Sequence, residues 1–146
     1  MKKIVRILGL MSVFSLTLGL WSCGDDDKPV SPEELPTPAT AFVQTYYPNV
    51  EILNTVRDDN KYDVTLSNGH EIEFDRNGAW LDVDAPLGLT VPTGFYPSDI
   101  DVYIKAIPDA GGVNEISKEK YGYDVETVNG LDLMFSAIGT YLGAED

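Results

Sequence analysis

His70 and Cys23 are the one histidine and the one cysteine of the chain. That inventory is too thin for nucleophilic catalysis, which couples a nucleophile to a base and an orienting group. It is equally thin for zinc, which takes several Cys or His ligands. His70 adjoins Asn68-Gly69 and reads as a solvated turn histidine, not as a general base. Carboxylates are the abundant reactive group, and they come at alternate positions: Glu71 and Glu73, then Asp82 and Asp84. Glycosidases work with two such groups. Here the alternation puts them on the polar side of strands, as in any half-solvated sheet. Asp75-Arg76-Asn77-Gly78 offers oxygen ligands at i and i+2 but lacks the later acidic ligands of a calcium loop, so it reads as a hairpin turn. No metal and no cofactor is expected, and the chain reads as a non-enzyme.

Trp80 stands among these carboxylates. If Val64, Ile72, Phe74, Leu81 and Val83 point at the core, strict alternation turns Trp80 outward beside Asp82 and Glu73. Met134 and Tyr141 hold the corresponding places later in the chain. An aromatic amid carboxylates on a sheet is the makings of a protein- or peptide-binding surface. The candidate face is therefore Glu71, Glu73, Trp80, Asp82, Met134 and Tyr141. A bulge after Gly78 would instead turn Trp80 into the core, since glycine at a strand entrance often marks one.

The elements that position these residues occur twice. Tyr62-Asp63-Val64, Asn68-Gly69, Phe74, Gly78 and Leu81 recur as Tyr123-Asp124-Val125, Asn129-Gly130, Phe135, Gly139 and Leu142, at an offset of 61 residues. Identity this dense at one fixed offset marks a duplicated unit. Each unit opens with a short helix. Ala39, Phe42, Val43 and Tyr46 form one helical stripe, and Ile100, Tyr103, Ile104 and Ile107 form the other. Thr37 is the expected N-cap of the first, with Pro38 at the first helical position. Ser98 is the expected cap of the second, closing a capping box with Asp101. Pro48 and Pro108 stop the helices. Strands are expected over Val50–Arg57, Lys61–Ser67, a segment around Ile72 and Phe74, and Ala79–Asp84. Asn68-Gly69 is a hairpin signal for a type I′ turn.

The helix, the Asn-Gly hairpin and the Phe74-Asp75-x-x-Gly78-x-Trp80 stretch together resemble the PepSY-like family of Bacteroidetes periplasmic proteins, over about residues 35–146. That family is described as similar in fold to the beta-lactamase inhibitory protein. The resemblance implies an α+β fold: two tandem repeats of one helix plus a four-stranded antiparallel meander, joined into one curved sheet with helices on one face. It also implies, by analogy, inhibition or regulation of a secreted enzyme. No catalytic residue is carried over. The second copy departs from the motif, with Ser136, Ala137 and Ile138 in place of Asp75, Arg76 and Asn77.

The N-terminus supplies an address. Lys2, Lys3 and Arg6 precede the apolar run Ile7–Leu20 and then Leu20-Trp21-Ser22-Cys23. This resembles a bacterial lipoprotein signal peptide, with Cys23 as the lipidated residue. The run is too short for a stable span, which needs roughly 20 apolar residues. Gly24-Asp25-Asp26-Asp27 resembles the export signal of surface lipoproteins in the Bacteroidetes. The expected organisation is a signal peptide over 1–22, a flexible acidic and proline-rich tether over 23–34, repeat one over 35–84, a linker over 85–95 and repeat two over 96–146.

Charge narrows the partners. The chain carries −14, and removing residues 1–22 takes three basic residues and no acid, leaving −17. Nucleic acid is excluded, because its phosphates need a basic surface. Anionic headgroups would be repelled too, so the bilayer is held through acylated Cys23 alone. Basic partners, divalent cations or simply solubility are favoured. The sequence thus reads as a lipid-anchored outer-membrane protein of a Gram-negative envelope, periplasmic or surface-exposed, that binds a protein or peptide. The alternative is a small-ligand or glycan-binding lipoprotein of a nutrient-uptake system, for which several aromatics lining one cleft would speak.

Overall fold

The computed structural model describes residues 27–145. Cys23, its signal segment and the start of the tether lie outside the described residues. The chain runs β1 (Lys28–Pro29), a 3₁₀ turn (Pro32–Glu34), α1 (Thr37–Tyr46), β2 (Ile52–Asp58), β3 (Lys61–Leu66), β4 (Glu71–Asp75) and β5 (Trp80–Asp84). It continues through α2 (Ser98–Lys105), β6 (Val113–Glu119), β7 (Gly122–Thr127), β8 (Asp132–Ser136) and β9 (Tyr141–Ala144). The nine strands form one open antiparallel sheet in sequence order. Among the described residues no helix is long and apolar enough to cross a membrane.

From Lys28 onward, the segment expected as tether up to residue 34 is part of the fold. Lys28 and Pro29 pair with Arg57 and Val56 of β2, and Val30 N–H donates to the Thr55 carbonyl at 3.0 Å. Leu35 is buried. Proline suits this place, because an edge strand needs no donor on its outer side.

Alternation builds the core. Val64, Ile72, Val83, Ile116, Val125 and Leu133 sit opposite one another across β3 to β8 and are all buried. Both helices pack on this side. Phe42 of α1 meets Phe74 at 5.6 Å between ring centroids, and Tyr103 of α2 meets Phe135 at 5.5 Å. Ala39, Val43, Ile100 and Ile104 are the helix residues buried deepest.

The expected caps do not form. Neither helix has a side-chain cap hydrogen bond, and Pro36 and Pro97 occupy the N-cap positions. The Pro36 carbonyl accepts from Ala39 N–H at 2.9 Å, and Pro97's accepts from Ile100 N–H at 3.1 Å. Asp101 does not close a box with Ser98; it accepts from the Tyr96 hydroxyl at 2.8 Å. Proline already fixes φ near the value the helix entry needs, so a hydroxyl cap is dispensable.

The hairpin turns also differ from the expected type. Asn68-Gly69 and Asn129-Gly130 do lie at hairpin turns, but only the glycines have positive φ, 85° and 80°. Gly69 N–H donates to the Leu66 carbonyl and Leu66 N–H to that of His70, both at 2.9 Å. This is a three-residue loop with glycine in the left-handed position, the next commonest hairpin after type I′. Asp75–Ala79 repeats it, with Gly78 at φ 88°. Gly78 has a second constraint: a Cβ there would lie 2.8 Å from Ala39 N and 2.9 Å from Pro36 Cβ. Gly139 meets Pro97 Cβ at 2.9 Å in the same way. The motif glycine lets each helix start close against a hairpin.

An acidic face and its aromatic counterpart

On the face away from the helices the alternate residues line up in two rows. The first runs Thr65, Glu71, Asp84, Glu115, Glu126, Asp132, each directly opposite the next across β3 to β8. The second runs Asp63, Glu73, Asp82, Ser117, Asp124, Met134, Gly143 across β3 to β9. Asp27, Asp63, Glu71, Glu73, Asp82 and Asp84 line a hollow of about 470 Å³ on this side. Like charges directly opposite one another destabilise a sheet, so these rows work against the fold that carries them.

The titration of the hollow follows from this crowding. Burial, then Glu115, Glu71 and Glu126, push Asp84 up to about 6, against a smaller opposing effect of the Ala85 backbone N–H. Burial and then Glu73 raise Asp63, with Lys61 partly offsetting them. Lys61 Nζ donates to Glu73 Oε1 at 2.8 Å, which raises the lysine in turn.

Glu71, Glu73, Asp82 and Met134 therefore do share one face, as alternation requires. Trp80 and Tyr141 do not join them. Trp80 stands opposite Phe74 while Asp82 stands opposite Glu73, so Leu81 is an extra residue on β5. Tyr141 likewise stands opposite Phe135, and Leu142 is extra on β9. Each bulge turns its aromatic to the helix side. Trp80 is only 8% exposed. It packs edge-on to Phe95 at 5.0 Å and stacks on Tyr123 at 6.0 Å, with Lys118 Nζ 4.2 Å from its ring centroid. Burial lowers Lys118. Tyr141 stacks on Tyr103 of α2 at 4.4 Å.

Sequence reasoning put Asp84 on the polar side of its strand without adding it to the candidate face, and did not single out Asp63, Glu115, Asp124, Glu126 and Asp132. For Asp84 and Asp132 the signal was present, since each stands two residues from Asp82 or Met134 on the same strand. His70 is buried, not solvated: Nε2–H donates to the Thr90 carbonyl at 3.2 Å, and the ring lies edge-on to Tyr47 at 5.1 Å. Asp75 Oδ1 accepts from the N–H groups of Asn77 and Ala79 at 2.8 and 2.9 Å, so its carboxylate serves the turn. Among the described residues no three His, Cys, Asp or Glu side chains are grouped to hold a metal ion.

Comparison with known proteins places this geometry among relatives. A family model described as "Putative beta-lactamase-inhibitor-like, PepSY-like" matches residues 17–70 and 60–142. A solved structure from Bacteroides thetaiotaomicron, a "putative calcium-regulated periplasmic protein", is 27% identical with a TM-score of 0.75. The match covers 83% of this chain and 98% of that one. Two Bacteroides vulgatus proteins, both described as periplasmic, are each 28% identical. One, of the DUF2874 family, has a TM-score of 0.73 and is matched over 83% of this chain and 98% of its own. The other, described as of unknown function, has a TM-score of 0.72, with 84% and 100% covered. Among curated proteins no match is found.

Proposed function

The chain belongs to the PepSY-like family, and on that footing we propose that it is a non-enzymatic, lipid-anchored envelope protein that binds a basic protein or peptide across the acidic face of its sheet. The observation that carries this is the pair of carboxylate rows. A fold needs a polar outer face, but alternating signs would stabilise it better than opposed like charges do. A basic partner would complement those charges. Regulation of a secreted enzyme, the activity suggested by the inhibitor-like family description, is one form such binding takes. The periplasmic descriptions of the three Bacteroides relatives support an envelope location. The order of elements, helix then four strands in each half, supports descent from one duplicated unit.

Two other features fit this reading. The fold begins by Lys28, so an acylated Cys23 would hold the β1 edge within roughly 18 Å of the bilayer, at about 3.6 Å per residue. The rows would also draw divalent cations, which is the form that calcium regulation, named for the B. thetaiotaomicron relative, would take here. Calcium would then compete with the basic partner. The glycan-binding alternative loses its main support, because Trp80 and its neighbours fill a packed cluster on the helix side.

The test is a pull-down of tagged mature protein from its own envelope, at low and high salt, beside a Glu71→Gln/Glu115→Gln variant. A basic protein should be captured, and should be lost at high salt and by the variant. Capture that ignores both salt and variant would refute the acidic face. Lipidation is tested separately. Cys23→Ala should abolish acylation and membrane partition with the melting temperature unchanged. An unmodified Cys23 thiol in the mature wild type, seen by mass spectrometry, would end the anchor reading.

A further inference from the structure

The loop between β5 and α2 exposes two leucines, Leu87 at 85% and Leu89 at 50%. One exposed leucine on a surface is ordinary. A loop braced to display two is not, and the first part of this loop is held at four carbonyls. Asn114 Nδ2, itself buried, donates to the carbonyls of Ala85, Pro86 and Leu89 at 3.1, 3.1 and 2.8 Å. His70 Nε2–H takes the Thr90 carbonyl at 3.2 Å. Leu89 N–H closes a turn on Pro86 at 2.9 Å, with Gly88 supplying φ 82° at its third position. Ala85 and Val91 N–H groups anchor the two ends on Asn114 and Val113, both at 2.9 Å. The backbone is fixed, while the leucine side chains are left to solvent.

The braces have a common address. His70 precedes Glu71, Ala85 follows Asp84, and Asn114 precedes Glu115. Glu71, Asp84 and Glu115 face one another in the first carboxylate row. The residues that hold the loop are thus chain neighbours of that row, at the ends where β4 opens, β5 closes and β6 opens. The loop therefore leaves the sheet at the end where this row lies.

We propose that Pro86–Thr90 is a preformed apolar finger that seats Leu87 in an apolar pocket of a basic-rimmed protein partner. This rests on the acidic-face reading above and adds the partner's second feature. Holding the loop in advance removes much of the ordering cost that a mobile loop would meet on binding. The partner is a protein and not a lipid surface, because the adjoining row repels anionic headgroups. Charge on the row steers the encounter, and Leu87 slows release.

The experiment selects a randomised peptide display library on the mature chain carrying Cys23→Ala. The peptides enriched should combine Lys or Arg with a large apolar residue. Leu87→Ser with Leu89→Ser should weaken the best of them by about tenfold or more, as losing a buried leucine does, with an unchanged melting temperature. Enrichment of basic peptides without apolar residues, bound equally by the leucine variant, overturns the finger and leaves the acidic face standing. Uncharged apolar peptides that still require Leu87 overturn the acidic face and leave the finger. Leucine-dependent binding of the same chain to phosphatidylcholine vesicles would put the tip in a bilayer and overturn the protein partner.

Discussion

Replacing Asp84 by Asn should stabilise the protein at neutral pH, and the structure fixes both the sign and the size. Asp84 faces Glu71 on one side and Glu115 on the other. Its carboxyl is pushed from 3.8 to about 6, by burial first and then by Glu115, Glu71 and Glu126. A carboxyl with a raised folded-state value binds its proton more tightly in the native than in the unfolded chain. Between about pH 4 and 6 the native state therefore carries the extra proton, and stability falls as pH rises through that window. Above it the destabilisation is complete. At about 1.4 kcal/mol per pH unit the shift sets a ceiling of roughly 3 kcal/mol. Asp84 is only half-buried, so solvent screening brings the expected figure to about 1–2 kcal/mol. Asn keeps the shape and removes the charge. Urea melts of wild type and Asp84→Asn at pH 7 should differ by that amount, with the variant more stable. The gap should close near pH 4, where the wild-type carboxyl is already protonated. A variant no more stable than wild type at pH 7, or a gap that persists undiminished at pH 4, would refute the claim that opposed carboxylates strain this sheet.

Two further substitutions probe the devices on the helix side. Trp80→Ala should cost roughly 3–5 kcal/mol in unfolding free energy, as a large-to-small core change does, and should leave salt-dependent partner binding intact in whatever fraction remains folded. A melt within about 1 kcal/mol of wild type would return Trp80 to the surface. Gly78→Ala should destabilise by more than about 1 kcal/mol, because it adds both a positive-φ penalty and a clash with the start of α1; Gly88→Ala, at φ 82° but in open space, should cost less in the same melt.

What the sequence revealed and what it concealed divide along one physical line. Alternation and helical spacing are local periodicities, and they placed the helices, the strands and the core face close to where they lie. Val64, Ile72, Val83 and Phe74 are buried as expected. The departures come from single-residue interruptions of a period. Leu81 and Leu142 are each one residue too many for the opposite strand, and that extra residue moved Trp80 and Tyr141 to the other face. Gly78 announced such an irregularity without fixing which residue would be extra. The helix caps failed differently, because a side-chain device was read where the carbonyls of Pro36 and Pro97 already did the work. The Asn-Gly hairpins lie where expected, and only the turn type differs, with positive φ at the glycine alone. Asn114 carried no local signal at all, because its three acceptors lie 25 to 29 residues away in sequence.

The acidic rows make the strongest case that this fold is shaped by something outside itself. The acidic positions in them lie on the face away from the helices, so the core does not dictate a carboxylate there. Threonine and serine do occur there, at Thr65 and Ser117. A sequence tuned only for stability would interleave charges across neighbouring strands. This one instead sets Glu71 against Asp84, Asp84 against Glu115 and Glu115 against Glu126. Lys61 pairs with Glu73 at the edge of the hollow. The same strands spend their intervening residues, His70 and Asn114, on holding a loop whose exposed leucines do nothing for the core. Two separate departures from what stability asks for, at the same end of the sheet, are what the proposed partner would account for.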